Sequence, residues 1–209
     1  MIRIILFVSI LFLLLIQSIS AQNNFSVTLS GGYLHSAFDK AKLPYWENGF
    51  IVSVLSDYRL SNNLSVFISG SYQQHFFNQN LVTVAVPAVV GYRYSISGEN
   101  SSVLKFSIGS KLYTISDSRV KPYLGFGIGV LFIDQGRVEI TDWMEGSSDR
   151  NTNLYADTDR NFNLSQVNFR LGVEIEVIRG LNLVIDGKFV QSFDGLSYLP
   201  ITAGIIFSL

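Results

Sequence analysis

Val120-Lys121-Pro122-Tyr123-Leu124-Gly125-Phe126-Gly127-Ile128-Gly129-Val130-Leu131-Phe132 carries an apolar side chain at every second position through most of its length. Leu124, Phe126, Ile128, Val130 and Phe132 fall on one face, and Tyr123, Gly125, Gly127 and Gly129 on the other. Successive side chains of a strand point to opposite faces, so the stretch is a two-sided β-strand. Its glycines do not make a phosphate-cradling loop, because that chemistry needs strand, glycine turn and helix in succession.

The same period of two recurs on both sides. Phe25, Val27, Leu29 and Tyr33 alternate with Ser26, Thr28 and Ser30; Phe50, Val52, Val54 and Tyr58 alternate with Ser53, Asp57 and Arg59. Leu64, Val66, Ile68, Tyr72 and Phe76 stand opposite Ser65, Ser69, Ser71 and Gln73. Leu104, Phe106, Ile108 and Leu112 stand opposite Lys105, Ser107, Gly109 and Lys111. Three more strands follow, led by Val167 to Val177, Leu181 to Phe189 and Ile201 to Leu209. With the opening stretch these make about eight strands, and no other segment past the N-terminus shows a capped helical period.

Connections alternate in length. Ser61-Asn62-Asn63, Ser116-Asp117-Ser118 and Arg179-Gly180 are short turns of suitable residues. Asp39 to Asn48, Asn78 to Ser102 and Gln135 to Asn161 are long and polar, and Asp194-Gly195 is brief. Short turns on one rim and long loops on the other match an antiparallel up-and-down barrel of the outer-membrane type. Leu81 to Ile96 also alternates, and Val138 to Trp143 could supply a further strand, which would give ten. Pro87 and Gly91 weaken the first of these as a central strand, so eight is the expected number and ten the alternative.

Composition narrows the function classes. The chain has 209 residues, 15 Lys+Arg against 16 Asp+Glu, a net charge of −1, and only 15% charged residues against 48% hydrophobic. That is one domain, with no electrostatic footprint for nucleic acid. The absence of Cys removes disulfides, thiolate zinc sites and thiol nucleophiles, and two His leave little room for acid–base or metal chemistry. At the N-terminus, Arg3 precedes an apolar run from Ile4 to Ile16 and a small-residue exit through Ser18, Ser20 and Ala21. This is a signal peptide over 1–21, with cleavage after Ser20 or Ala21, because the run falls short of the about 20 residues that span a bilayer. Residues 22–209 are then an exported barrel domain.

Alternation alone does not say which face is inside, since a lipocalin-like soluble barrel or a secreted sandwich inverts the arrangement. Three features favour a membrane barrel with lipid outside. The polar face carries a near-balanced set: Arg59, Lys105, Lys111, Arg170 and Lys188 against Asp57, Glu174, Glu176 and Asp186. In a narrow bore such charges must pair to offset desolvation. Gly109, Gly125, Gly127, Gly129, Gly172 and Gly204 leave room there for long side chains. Aromatics such as Tyr33, Phe50, Tyr58, Tyr72, Phe76, Tyr123 and Phe207 stand near strand ends, where rings seek the headgroups. The nine charged residues are therefore expected to form an ion-pair network inside the barrel.

The signal, the Lys121-Pro122-Tyr123-Leu124-Gly125-Phe126-Gly127-Ile128-Gly129 strand opening and the terminal alternation from Ile201 to Leu209 resemble the small outer-membrane barrels related to OmpA and OmpX. Those barrels usually end in Phe or Trp, whereas this chain ends in Leu209 with Phe207 and Ile205 keeping the alternation. The resemblance implies an outer-membrane location, contact with its lipid and insertion by the barrel-assembly machinery. It implies no single activity, since such proteins serve as anchors, adhesins or conduits.

Site motifs are sparse. His35-Ser36 could suggest a hydrolase pair, but adjacent strand residues point apart and no acidic partner is near. His75 is expected at the rim. Asp149 to Asn153 and Asp157 to Asn161 begin like calcium loops, yet Leu154 and Phe162 occupy the position where an EF-hand requires Gly. The expectation is a monomeric structural or surface-interaction protein without catalysis, cofactor or metal. A conduit or binder for a small hydrophobic molecule comes second, and a lipid-modifying enzyme third.

Overall fold

The computed structural model describes residues 24–40, 43, 45–85, 91–115, 118–154 and 161–208. The expected signal peptide, Leu209, Pro87, the side chain of Ser36 and most of the second acidic motif lie outside the described residues. Among the described residues eleven strands form: β1 (Phe25–Lys40), β2 (Trp46–Arg59), β3 (Leu64–Phe77), β4 (Tyr92–Gly98), β5 (Ser101–Tyr113), β6 (Val120–Asp134), β7 (Val138–Met144), β8 (Asn151–Leu154), β9 (Asn161–Ile178), β10 (Leu181–Ser192) and β11 (Leu196–Ser208). A short helix, α1 (Gln79–Ala85), follows β3. The Asn78 side chain accepts from the Asn80 amide at its start, as an N-cap does.

Eight of these strands close into an antiparallel barrel in the order β1-β11-β10-β9-β6-β5-β3-β2. Closure runs from Ser26 opposite Ser208 to His35 opposite Leu199, so the first and last strands seal each other's edges. The strand number expected from the sequence is thus the observed one. Val138–Met144 is a strand, but it does not span. It pairs with β4, from Tyr92 opposite Met144 to Gly98 opposite Val138, and with β8, in a separate three-stranded sheet at the long-loop end. Val138 and Ile140 alternate with Glu139 and Thr141 because that face packs on the apolar cluster, as any sheet with one covered face demands.

Burial separates the two faces along the barrel strands, with Val27 on β1 an exception. Leu104, Phe106 and Ile108 on β5, Leu124, Phe126 and Ile128 on β6, and Phe169 and Leu171 on β9 are exposed on the outside. Lys105, Ser107, Lys111, Asn168, Arg170 and Glu174 on the same strands are buried inside. At about 3.3 Å per residue and a tilt of about 40°, the outward row from Val120 to Phe132 rises roughly 30 Å. That matches the hydrocarbon thickness of a bilayer.

Gly125 lies against the Arg170 side chain, as expected of an interior glycine, but two others make room for rings instead. A Cβ on Gly172 would lie 2.5 Å from the Tyr123 ring, and one on Gly109 would lie 2.7 Å from the Phe67 ring. Each glycine is the recess into which a neighbouring aromatic lies. Gly180, with φ 85°, closes the short link between β9 and β10, where only glycine adopts the left-handed backbone freely.

A charged bore under an apolar cap

The bore is filled in three layers. Nearest the short turns, Lys111 on β5 donates to Asp57 on β2 at 2.6 Å and to Glu174 on β9 at 3.3 Å. Tyr113 donates to the same Glu174 oxygen at 2.8 Å, and Ser65 donates to Asp57 at 3.3 Å. Lys111 also lies 4.9 Å from the centre of the Tyr123 ring. All five polar side chains are buried, so this is a closed, hydrogen-bonded ion cluster of the kind that tolerates a dry interior.

In the middle layer, Arg170 donates to Asp186 through both Nε and Nη2, and Lys188 lies 3.3 Å from the same carboxylate. The Arg170 guanidinium stacks over Phe67 at 4.8 Å. Ser30 bonds Ser53 at 2.6 Å, and Ser69 bonds Ser107 at 2.8 Å, so short hydroxyls satisfy one another across adjacent strands. Lys105 faces the same region, buried, but reaches no carboxylate among the described residues.

The outer layer differs from the sequence expectation. Leu34, Ile51, Val103, Leu131, Ile133, Val190 and Leu196 fill the bore there with hydrocarbon, not with ion pairs. Leu43, Trp46, Val82, Ile96 and Val138 continue the same cluster beyond the barrel and join it to α1 and the three-stranded sheet. Trp46 donates its ring N–H to the Glu99 carbonyl at 2.8 Å and meets Phe77 edge-on at 6.4 Å. Just beneath, Gln73 donates to Tyr198 at 3.1 Å, and His75 stands edge-on to the Tyr198 ring at 6.0 Å. His75 is therefore a buried residue of the bore and not a rim residue as expected. The signal for this cap was present in Val130-Leu131-Phe132-Ile133, where both faces of the strand turn apolar.

Of the nine charged residues singled out, the structure brings six together in two groups: Asp57, Lys111 and Glu174 in one, Arg170, Asp186 and Lys188 in the other. Arg59 lies 4.8 Å over the Tyr113 ring at the mouth. Glu176 is exposed there, 3.7 Å from Lys121, a partner the sequence reading missed. These two, with Arg59 and Asn182, line a cavity of about 130 Å³ at the short-turn end. His35 is exposed and meets Asn48 at 2.9 Å. The first acidic motif runs into β8, where Asn153 donates to Asp142 at 3.4 Å.

Solved structures share this architecture. A major outer-membrane protein of Thermus thermophilus superposes with a TM-score of 0.51 at 13% identity, over 88% of this chain and 98% of that one. Neisserial surface protein A gives 0.48 at 11% identity over 90% and 98%. The N-terminal barrel domain of OprF from Pseudomonas aeruginosa gives 0.46 at 11% identity over 89% and 97%. No family model matches the chain. No curated protein sequence matches it either. The resemblance to the OmpA and OmpX barrels drawn from the sequence holds at the level of architecture: the chain has the transmembrane β-barrel fold, in its small eight-stranded antiparallel form.

Proposed function

We propose that the protein is an integral outer-membrane barrel with a structural or surface-interaction role and no catalysis, exported by residues 1–21 and inserted by the barrel-assembly machinery as a monomer. The observation that carries this reading is the filled bore. An ion cluster, a second ion cluster and an apolar cap follow one another along the axis, and the cap fuses the bore to a three-stranded sheet outside it. A barrel stoppered in this way offers solutes no path, so contact with the surroundings falls to lipid and to the sheet at the long-loop end. Exposed Arg93, Glu145 and Thr152 lie at that end, with Arg150 stacked 5.1 Å over Trp143.

Two measurements test the reading. The protein should fractionate with outer membranes, resist carbonate extraction and change gel mobility on heating. Reconstituted in planar bilayers, it should carry no current above the lipid background. Recovery as a soluble periplasmic species would defeat the localisation, and steady conductance would favour the conduit over the structural role.

A further inference from the structure

The buried charges of the bore do not balance. Among the described residues four buried cations, Lys105, Lys111, Arg170 and Lys188, share it with three buried carboxylates, Asp57, Glu174 and Asp186. The imbalance is local: the layer near the short turns holds one cation against two carboxylates, and the middle layer holds three cations against one. Asp57 and Glu174 are already engaged by Lys111, Ser65 and Tyr113. Asp186 meets Arg170 and Lys188 through Oδ2 alone, with Oδ1 unpartnered, and the two cations outweigh its one charge.

Lys105 is what remains. It is 4% exposed and points into the barrel. The charges that act on it are Lys188 and Arg170, which repel it, and Asp186, which attracts it. A lone ammonium in so dry a place is costly unless something negative meets it. A second group nearby has the same need. Gln166 is 1% exposed, its Oε1 accepts from Asn168 at 3.4 Å, and its Nε2 donor has no partner. Gln166 pairs with Gly129, and Gly129 with Ser107, the inward neighbour of Lys105 on β5. With no side chain on Gly129, the Gln166 amide leans over it toward β5, where a Cβ would come within 2.8 Å of Nε2. One stretch of wall thus carries an unpartnered donor, Gln166 Nε2, beside a cation with no carboxylate within ion-pair distance among the described residues.

We propose that the middle of the bore is an anion site, in which Lys105 and Gln166 hold one small monovalent anion of the halide class. The charge is set by the count, since a single negative charge neutralises the excess of the whole bore. The size is set by the closures, since the Lys111 cluster seals one end and the apolar cap the other. The anion enters with the folding chain, before the Lys111 cluster closes the short-turn end.

Bromide is the probe. The full chain is folded and crystallised in sodium bromide, and anomalous scattering locates the ion; in parallel, unfolding temperatures are compared in bromide and gluconate at equal ionic strength. The expected result is a bromide peak beside Lys105 within the bore and a higher unfolding temperature in bromide. Lys105→Met removes the salt difference, while Lys121→Gln at the mouth keeps it. A map with bromide only on surface lysines, meaning an adventitious ion only, overturns the proposal. So does equal unfolding in the two salts. The map uses the unaltered protein, so it decides the matter even if Lys105→Met does not fold, and neither readout depends on the protein's role at the surface.

Discussion

The Lys111 ammonium reaches over an intervening strand to donate to Asp57 at 2.6 Å: the first residue is on β5, the second on β2, and β3 lies between. Their backbones are two strands apart, about 10 Å in a flat sheet, and the inward curvature of the barrel brings the two side-chain ends together. Removing the cation leaves Asp57 and Glu174 buried together without a counter-charge. Lys111→Met should therefore cost about 3–5 kcal/mol of stability. Replacing all three residues, with Asp57→Asn and Glu174→Gln added, should recover most of it. Urea titration of the refolded protein in lipid, followed by gel mobility, measures both.

Gly172 and Tyr123 are a second coupled pair. Gly172→Ala puts a methyl group 2.5 Å from the Tyr123 ring and should destabilise by about 1–3 kcal/mol. In a Tyr123→Leu background the cost should fall but not vanish, because the Ile185 carbonyl still lies 2.8 Å from the added methyl. The double-mutant cycle reports the interaction directly, and additive costs would mean that the ring does not occupy the glycine recess.

Ile128 lies midway along the outward row of β6 and Val120 at its end. If lipid surrounds this face, Ile128→Arg should cost about 2–4 kcal/mol and Val120→Arg about 0–1. In a soluble barrel with that face in water, both would stay within about 0.5 kcal/mol. Refolding yields and urea midpoints in vesicles distinguish the two cases.

Trp46 ties the cap to the barrel rim through its bond to the Glu99 carbonyl and its contact with Phe77. Trp46→Ala removes a fully buried ring, a change worth about 3–5 kcal/mol in a packed core. The effect should be confined to the cap. Limited proteolysis should cut faster around β4, β7 and β8, while the barrel keeps its heat-dependent gel shift. Loss of the gel shift together with the cap would show that the two fold as one unit.

Much of this molecule was legible one strand at a time. Side-chain direction alternates with a period of two whatever the neighbours are, so Leu124, Phe126 and Ile128 could be assigned to one face and Lys105, Arg170 and Asp186 to the other before any fold was known. The short turns at Ser61-Asn62-Asn63 and Arg179-Gly180 supported the up-and-down order, and the alternating segments, with Pro87 and Gly91 against a further spanning strand, supported eight. The same local rule could not separate β4 and β7 from spanning strands, because an outer sheet covered on one face obeys it too.

What the sequence determined alone is the division of each strand into two faces, which follows from local stereochemistry, and the balance of charge and glycine on one of them that marked it as the inner face. Only the tertiary structure decided which charges meet. Whether Lys111 finds Asp57, or Lys105 finds no carboxylate among the described residues, depends on the stagger of strands around a closed cylinder and on residues far apart in the chain. It decided as well that hydrocarbon stoppers the end with the long loops. That cap is assembled from Leu34, Trp46, Val82, Ile96 and Val138, side chains that no single strand brings together.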